Sequence, residues 1–113
     1  MELNYKLDKV KDLADGDNDF IKAIAAAFLE EIPEAVGQIK EGVQTLDYRK
    51  AYENAHKIKP SVQMFELGIY YDVITLQDWG KFEQKDRDVT LPLEKVVEVV
   101  KLAVKEIKSD FNL

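Results

Sequence analysis

The chain holds a single histidine, His56, inside the stretch ENAHKIKPSVQMFELG that spans residues 53–68. An imidazole can ligate a metal, move a proton or act as a nucleophile, and its neighbours decide which. Glu53 and His56 form Glu-x-x-His, the repeat unit of carboxylate di-iron bundles, but that site needs a second such histidine on another helix and this chain has none. As a hydrolytic base His56 lacks an evident partner, because Ser61 lies five residues on and a helix turns side chains at that spacing apart. The five glycines, at 16, 37, 42, 68 and 80, are scattered, so no glycine loop is available to cradle a nucleotide's phosphates. What remains is an incidental surface residue or an imidazole that works with side chains of its own helix.

The elements that must position it are all helical. Ile21, Ile24, Ala25, Phe28, Leu29 and Ile32 recur at steps of three and four, after a break at Gly16 and N-cap candidates in Asp17 and Asn18. The stripe continues as Val36, Ile39, Val43 and Leu46 beyond Pro33, whose missing amide predicts a kink or a fresh start there. A short helix carrying Leu3, Leu7, Val10 and Ala14 precedes it. From Tyr48 to about Gln63, Ala51, Ala55, Ile58 and Val62 share one face, clustered within roughly 60° on the helical wheel. His56 falls outside that arc, on the exposed side near its flank, with Tyr52, Lys59 and Gln63 on nearly the same strip. Lys57 points elsewhere, into solvent. The next segment, from near Leu67, presents Tyr70, Tyr71, Ile74 and Phe82 in register, widened by Ile69, Val73 and Leu76, an arc that suggests packing on two sides. After the polar break QKDRDVT, a last helix carries Leu93, Val96, Val97, Val100, Val104, Ile107 and Phe111, with Pro92 tolerated in its first turn. Short connections bring sequential helices together antiparallel. The expected fold is all-α, an antiparallel four-helix bundle with a short additional N-terminal helix, forming one domain over residues 1–113.

Composition narrows the function classes. With 22 acidic against 16 basic residues the net charge is −6, which disfavours nucleic acid and anionic membrane as partners. No cysteine is present, which removes disulfides, thiolate metal sites and a cysteine nucleophile. No apolar run approaches the length of a membrane span, and MELNYKLDKVKDL is amphipathic rather than a signal-peptide core, so a cytoplasmic protein is expected.

The strip around the histidine resembles a family signature. AHKIKPSVQMFELG is similar to the motif of histidine phosphotransfer (HPt) domains, His-x-Leu-Lys-Gly-Ser followed by a small or apolar stretch ending in Leu-Gly. His56, Ile58, Lys59 and Ser61 match at the same offsets, and Phe65 holds the apolar position nine residues after the histidine. The run from DGDNDF through FLEE to HKIK looks like the family's second and third helices. Two positions depart from the motif. The glycine four residues after the histidine is Pro60, which offers no long side chain to block a partner and leaves the His56 carbonyl without its intrahelical donor. The glycine of Leu-Gly is Glu66, with Gly68 two residues later, which bears on the turn between helices.

The resemblance implies phosphoryl relay. His56 would accept a phosphoryl group from a receiver-domain aspartate, through Nε2, and pass it to another response regulator. Lys59 would offset charge on the phosphoryl oxygens and Gln63 would hydrogen-bond one of them. In the family a polar residue about 22 positions after the histidine orients the ring; Asp78 occupies that offset and Gln77 adjoins it. Docking would draw on the first helix and the start of the second, with Val10, Leu13, Phe20 and Ile24 as candidates and core packing the competing role for each. The expected partners are response-regulator receiver domains and a hybrid histidine kinase, the expected state a stand-alone monomer. No cofactor is expected, since magnesium belongs to the receiver, and no kinase or nucleotide site of the chain's own. The competing reading is an HPt-like module that docks receivers or kinases as a regulator without being phosphorylated.

Overall fold

The computed structural model describes residues 5–113, and Leu3 of the expected first helix lies outside them. Five helices follow in chain order: α1 (Asp8–Ala14), α2 (Asn18–Thr45), α3 (Tyr48–Met64), α4 (Tyr70–Lys81) and α5 (Thr90–Phe111). No strand occurs among the described residues. The Asp17 carboxylate caps α2 by accepting from the Phe20 amide at 3.1 Å, and Asp47 caps α3 by accepting from the Lys50 amide at 3.1 Å. Such a cap satisfies one of the amides that every helix start leaves without a partner.

α2 is continuous through Pro33, so no fresh helix starts there. Pro33 is exposed, so the Leu29 carbonyl it leaves without a donor stands where water can serve it. The buried stripe of α2 runs Ile21, Ala25, Phe28, Ile32, Ala35, Val36, Ile39 and Gly42. Leu46 does not continue it: the residue follows the helix in a left-handed conformation and its side chain is exposed. α3 buries the four residues its pattern specified, Ala51, Ala55, Ile58 and Val62. α4 turns differently from its sequence reading. It buries Val73, Leu76, Trp79 and Gly80, while Tyr71 is exposed and Phe82 lies beyond the helix end, also exposed. α5 buries Leu93, Val96, Val100, Ala103 and Ile107.

α3 packs against α2 on one flank and α4 on the other, α5 packs against both α2 and α4, and α1 rests on α2. α2 and α3 run antiparallel, since Gly42 lies against Ala51 at one end of the pair and the rings of Phe28 and Phe65 meet at a tilt, centroids 4.6 Å apart, at the other. The molecule measures 46 × 25 × 20 Å, its long axis close to the ~42 Å that 28 helical residues span. The first two described residues are each tied down. The Lys6 amide donates to the Phe65 carbonyl at 2.8 Å, and the buried Tyr5 hydroxyl donates to the Asp110 carboxylate at the end of α5.

The turn between α3 and α4 is a Schellman arrangement. The Glu66 amide donates to the Gln63 carbonyl at 3.2 Å and the Leu67 amide to the Val62 carbonyl at 3.1 Å, with Val62 and Leu67 both buried. Glu66 accordingly sits at φ 50°. That is the left-handed backbone a glycine adopts without cost, at the position where the HPt motif carries one.

Candidate functional site

The site is built on the middle of α3. One side of this helix is entirely core, and its two flanks are assigned by separate contacts. Lys50 reaches Glu41 of α2, 3.3 Å away, so that flank faces α2. Tyr52, two residues on, lies against α4. A Cβ placed on Gly80 would stand 2.8 Å from the Tyr52 nitrogen and 3.0 Å from its Cβ, and would collide with the Tyr48 carbonyl oxygen. Only a glycine lets the end of α4 come this close. Tyr48 adds a ring contact to the buried Trp79, 4.7 Å between centroids. His56 follows Tyr52 by one turn and belongs to the same, α4-facing flank.

The imidazole is exposed. Its ring lies on that of Tyr52, centroids 5.9 Å apart and planes 23° from parallel. No hydrogen bond or ion pair reaches it among the described residues. Lys59, one turn on, is half-buried, while Gln63 is exposed, as are Lys57 and Pro60. His56, Lys59 and Gln63 therefore share one strip with Tyr52, and a group bound at the imidazole edge would meet an ammonium and a carboxamide one and two turns along.

Asp78 and Gln77 of α4 are both half-buried, and neither bonds the imidazole. The Gln77 Oε1 is buried with no partner among the described residues. Measured from Gly80, which faces α3, Gln77 is three residues back and stays near that face, whereas Asp78 is turned about 160° away. Glu53, the carboxylate of Glu-x-x-His, is engaged by Arg49, 2.7 Å from Nε to Oε1, and this pairing holds the guanidinium's pKa above its ordinary value. Among the described residues no three histidine, cysteine, aspartate or glutamate side chains gather where they could hold a metal ion. Beyond Tyr52 an open cleft of about 790 Å³ runs to the α2–α3 turn. Arg49, Lys81, Asp47 and Glu83 line it with charges of both signs.

The four docking candidates divide. Val10 is 0% exposed and belongs to the core, so it cannot touch a partner. Ile24 is half-buried and packs on the core. Leu13 (59% exposed) and Phe20 (44%) are surface residues, but the fold does not bring Phe20 to His56. Phe65, beside Phe28, lies nine residues or ~13 Å from His56, and Phe20 lies eight residues or ~12 Å beyond Phe28 in the opposite direction. The separation along the bundle is therefore about 25 Å, and α2 also lies on the flank opposite the imidazole. A standard interface of ~800 Å² per partner has a radius of only ~16 Å.

Sequence reasoning placed Tyr52 on the strip but did not foresee its stacking on the histidine, nor that Gly80 seats it. The four-residue spacing of two rings was the available signal. No helix among the described residues is long and apolar enough to cross a membrane. Compared with known protein families, characterised proteins and solved structures, the chain finds no match.

Proposed function

We propose that the chain is a histidine phosphocarrier of the HPt type, a cytoplasmic relay protein whose helices α2 to α5 form an antiparallel four-helix bundle with α1 as the additional N-terminal helix. The observation that carries this reading is the division of α3. Four of its residues are fully committed to the core, and the strip along its α4-facing flank offers His56, Lys59 and Gln63 to a partner at the spacing of the HPt motif.

In the reaction, a lone pair of one imidazole nitrogen forms an N–P bond as the P–O bond to the receiver's aspartate breaks. The bonding pair leaves with the aspartate carboxylate, and the second ring nitrogen keeps its hydrogen. Attack by the aspartate of another receiver reverses these changes and frees the imidazole. Little covalent work falls to the protein, so positioning and charge dominate. Lys59 offsets charge on the phosphoryl oxygens and the Gln63 amide donates to one of them. Magnesium and the acidic pocket are the receiver's, and a hybrid kinase supplies the phosphoryl group upstream. The receiver approaches over the flank of α3 that adjoins α4, because the imidazole lies on that side and the exposed Phe20 lies about 25 Å away along the bundle.

The test is transfer from a receiver domain phosphorylated on its aspartate. The wild type should take up the group and His56→Gln should take up none. A folded wild type that binds the receiver without accepting the group would instead be a docking regulator.

A further inference from the structure

We propose that Tyr52 is the positioning residue for the His56 imidazole. The inference rests on the phosphocarrier reading and adds to it a residue outside the HPt motif. Three observations meet here. The stack on Tyr52, at 5.9 Å and 23°, is the imidazole's one ring contact, and neither a hydrogen bond nor an ion pair orients it among the described residues. Pro60 has no amide hydrogen, so the His56 carbonyl lacks its helical donor in the turn that carries the reactive ring. Tyr52 itself is seated well: its nitrogen and Cβ abut Gly80, and the preceding turn is pinned by the contact of Tyr48 with the buried Trp79.

The chemistry gives the stack a purpose. An exposed histidine samples several rotamers, and attack on phosphorus needs one nitrogen held in line with the breaking P–O bond. An offset-stacked ring beside the imidazole favours the rotamer that keeps the stack while leaving the nitrogen-bearing edge open. A hydrogen-bonding group could also orient the ring, but it would occupy a nitrogen. Tyr52 takes neither. Phenylalanine should serve as well as tyrosine, because the hydroxyl has no part in the argument, and leucine should not.

The experiment compares wild type, Tyr52→Phe and Tyr52→Leu, each first shown to be folded by its thermal melt, with phosphoramidate as the phosphoryl donor. Two readouts are taken on the full chain. The ring-proton NMR shifts of His56, assigned without ambiguity because there is one histidine, should lie upfield in the wild type and in Tyr52→Phe. They should move to exposed-histidine values in Tyr52→Leu. The phosphorylation rate at saturating donor should fall roughly three- to tenfold in Tyr52→Leu, the range that an aromatic contact of this kind is worth, with the half-saturating donor concentration unchanged. Tyr52→Phe should recover the rate. Exposed-histidine shifts in the wild type would overturn the proposal with no variant needed. So would a Tyr52→Leu rate equal to wild type, and in that case the carrier reading stands. If the folded wild type takes no label from phosphoramidate, the rates are read with an aspartyl-phosphorylated receiver instead. No label from either donor refutes the carrier reading, while the ring-proton shifts still decide whether Tyr52 holds the imidazole.

Discussion

Glu66→Gly should stabilise this protein. Glu66 closes the Schellman turn after α3 at φ 50°, a conformation that brings the Cβ of an L-residue close to its own backbone and costs about 1–2 kcal/mol. Glycine escapes that cost but returns part of the gain, because its unfolded state has more conformational freedom to lose, roughly 0.5–1 kcal/mol. The Glu66 Oε2 is in addition buried with no partner among the described residues, so removal of the side chain sacrifices no hydrogen bond to it there. The net expectation is a gain of about 1 kcal/mol, or about 4 °C in melting temperature for a domain of this size. Thermal and urea unfolding followed by circular dichroism would measure it. Glu66→Ala separates the two contributions, since alanine removes the carboxylate but keeps the Cβ in the left-handed region. If Glu66→Gly is neutral or destabilising, the turn is not strained as described. If Glu66→Ala gains as much as Glu66→Gly, the gain comes from the carboxylate and the backbone argument fails.

Other expectations follow from the same contacts. Gly80→Ala should cost about 1–3 kcal/mol in chemical denaturation, because the new methyl would strike the Tyr48 carbonyl oxygen and the Tyr52 backbone; a neutral result would mean that α4 is not seated there as described. Burial, and then the hydrogen bond to Asp110, push the Tyr5 phenol's pKa above its ordinary value. The folded state therefore holds that proton to higher pH than the unfolded chain. Tyr5 lends its full stability below pH ~10 and loses it above, by up to ~1.4 kcal/mol per pH unit, a loss that Tyr5→Phe should not show in urea melts at pH 8 and 11. Phe20→Ala should leave the half-saturating receiver concentration for transfer within twofold of wild type, because a partner centred on His56 does not span the ~25 Å to it.

The parts of this molecule that were legible in its sequence are those governed by local chemistry. Ala51, Ala55, Ile58 and Val62 were readable as a buried face because spacing alone specifies which side of a helix is apolar, and Asp17 was readable as a cap because a carboxylate beside a helix start has few other uses. The exposed strip with His56, Lys59 and Gln63 follows from the same wheel. What was not legible depends on partners distant in sequence. Tyr71 and Phe82 are large and apolar in type yet exposed, since α4 is turned by the closeness of Gly80 to α3, a constraint no local pattern carries. Pro33 reads as a break, and only its exposed position explains why the helix runs on. The distance from Phe20 to His56 depends on the register of α2 against α3, which the turn at Leu46 and Asp47 decides. The left-handed backbone at Glu66 had one sequence sign, the glycine that the HPt motif carries at that position.

The central claim is tested most directly by treating the full chain and its His56→Gln variant with phosphoramidate and with an aspartyl-phosphorylated receiver domain, then assaying for a phosphoryl group that acid removes and base does not. The account predicts such a group on the wild type and none on the variant, an assignment made sharp by the single histidine. A folded wild type that stays unlabelled with both donors, or a variant labelled as strongly as the wild type, would contradict it.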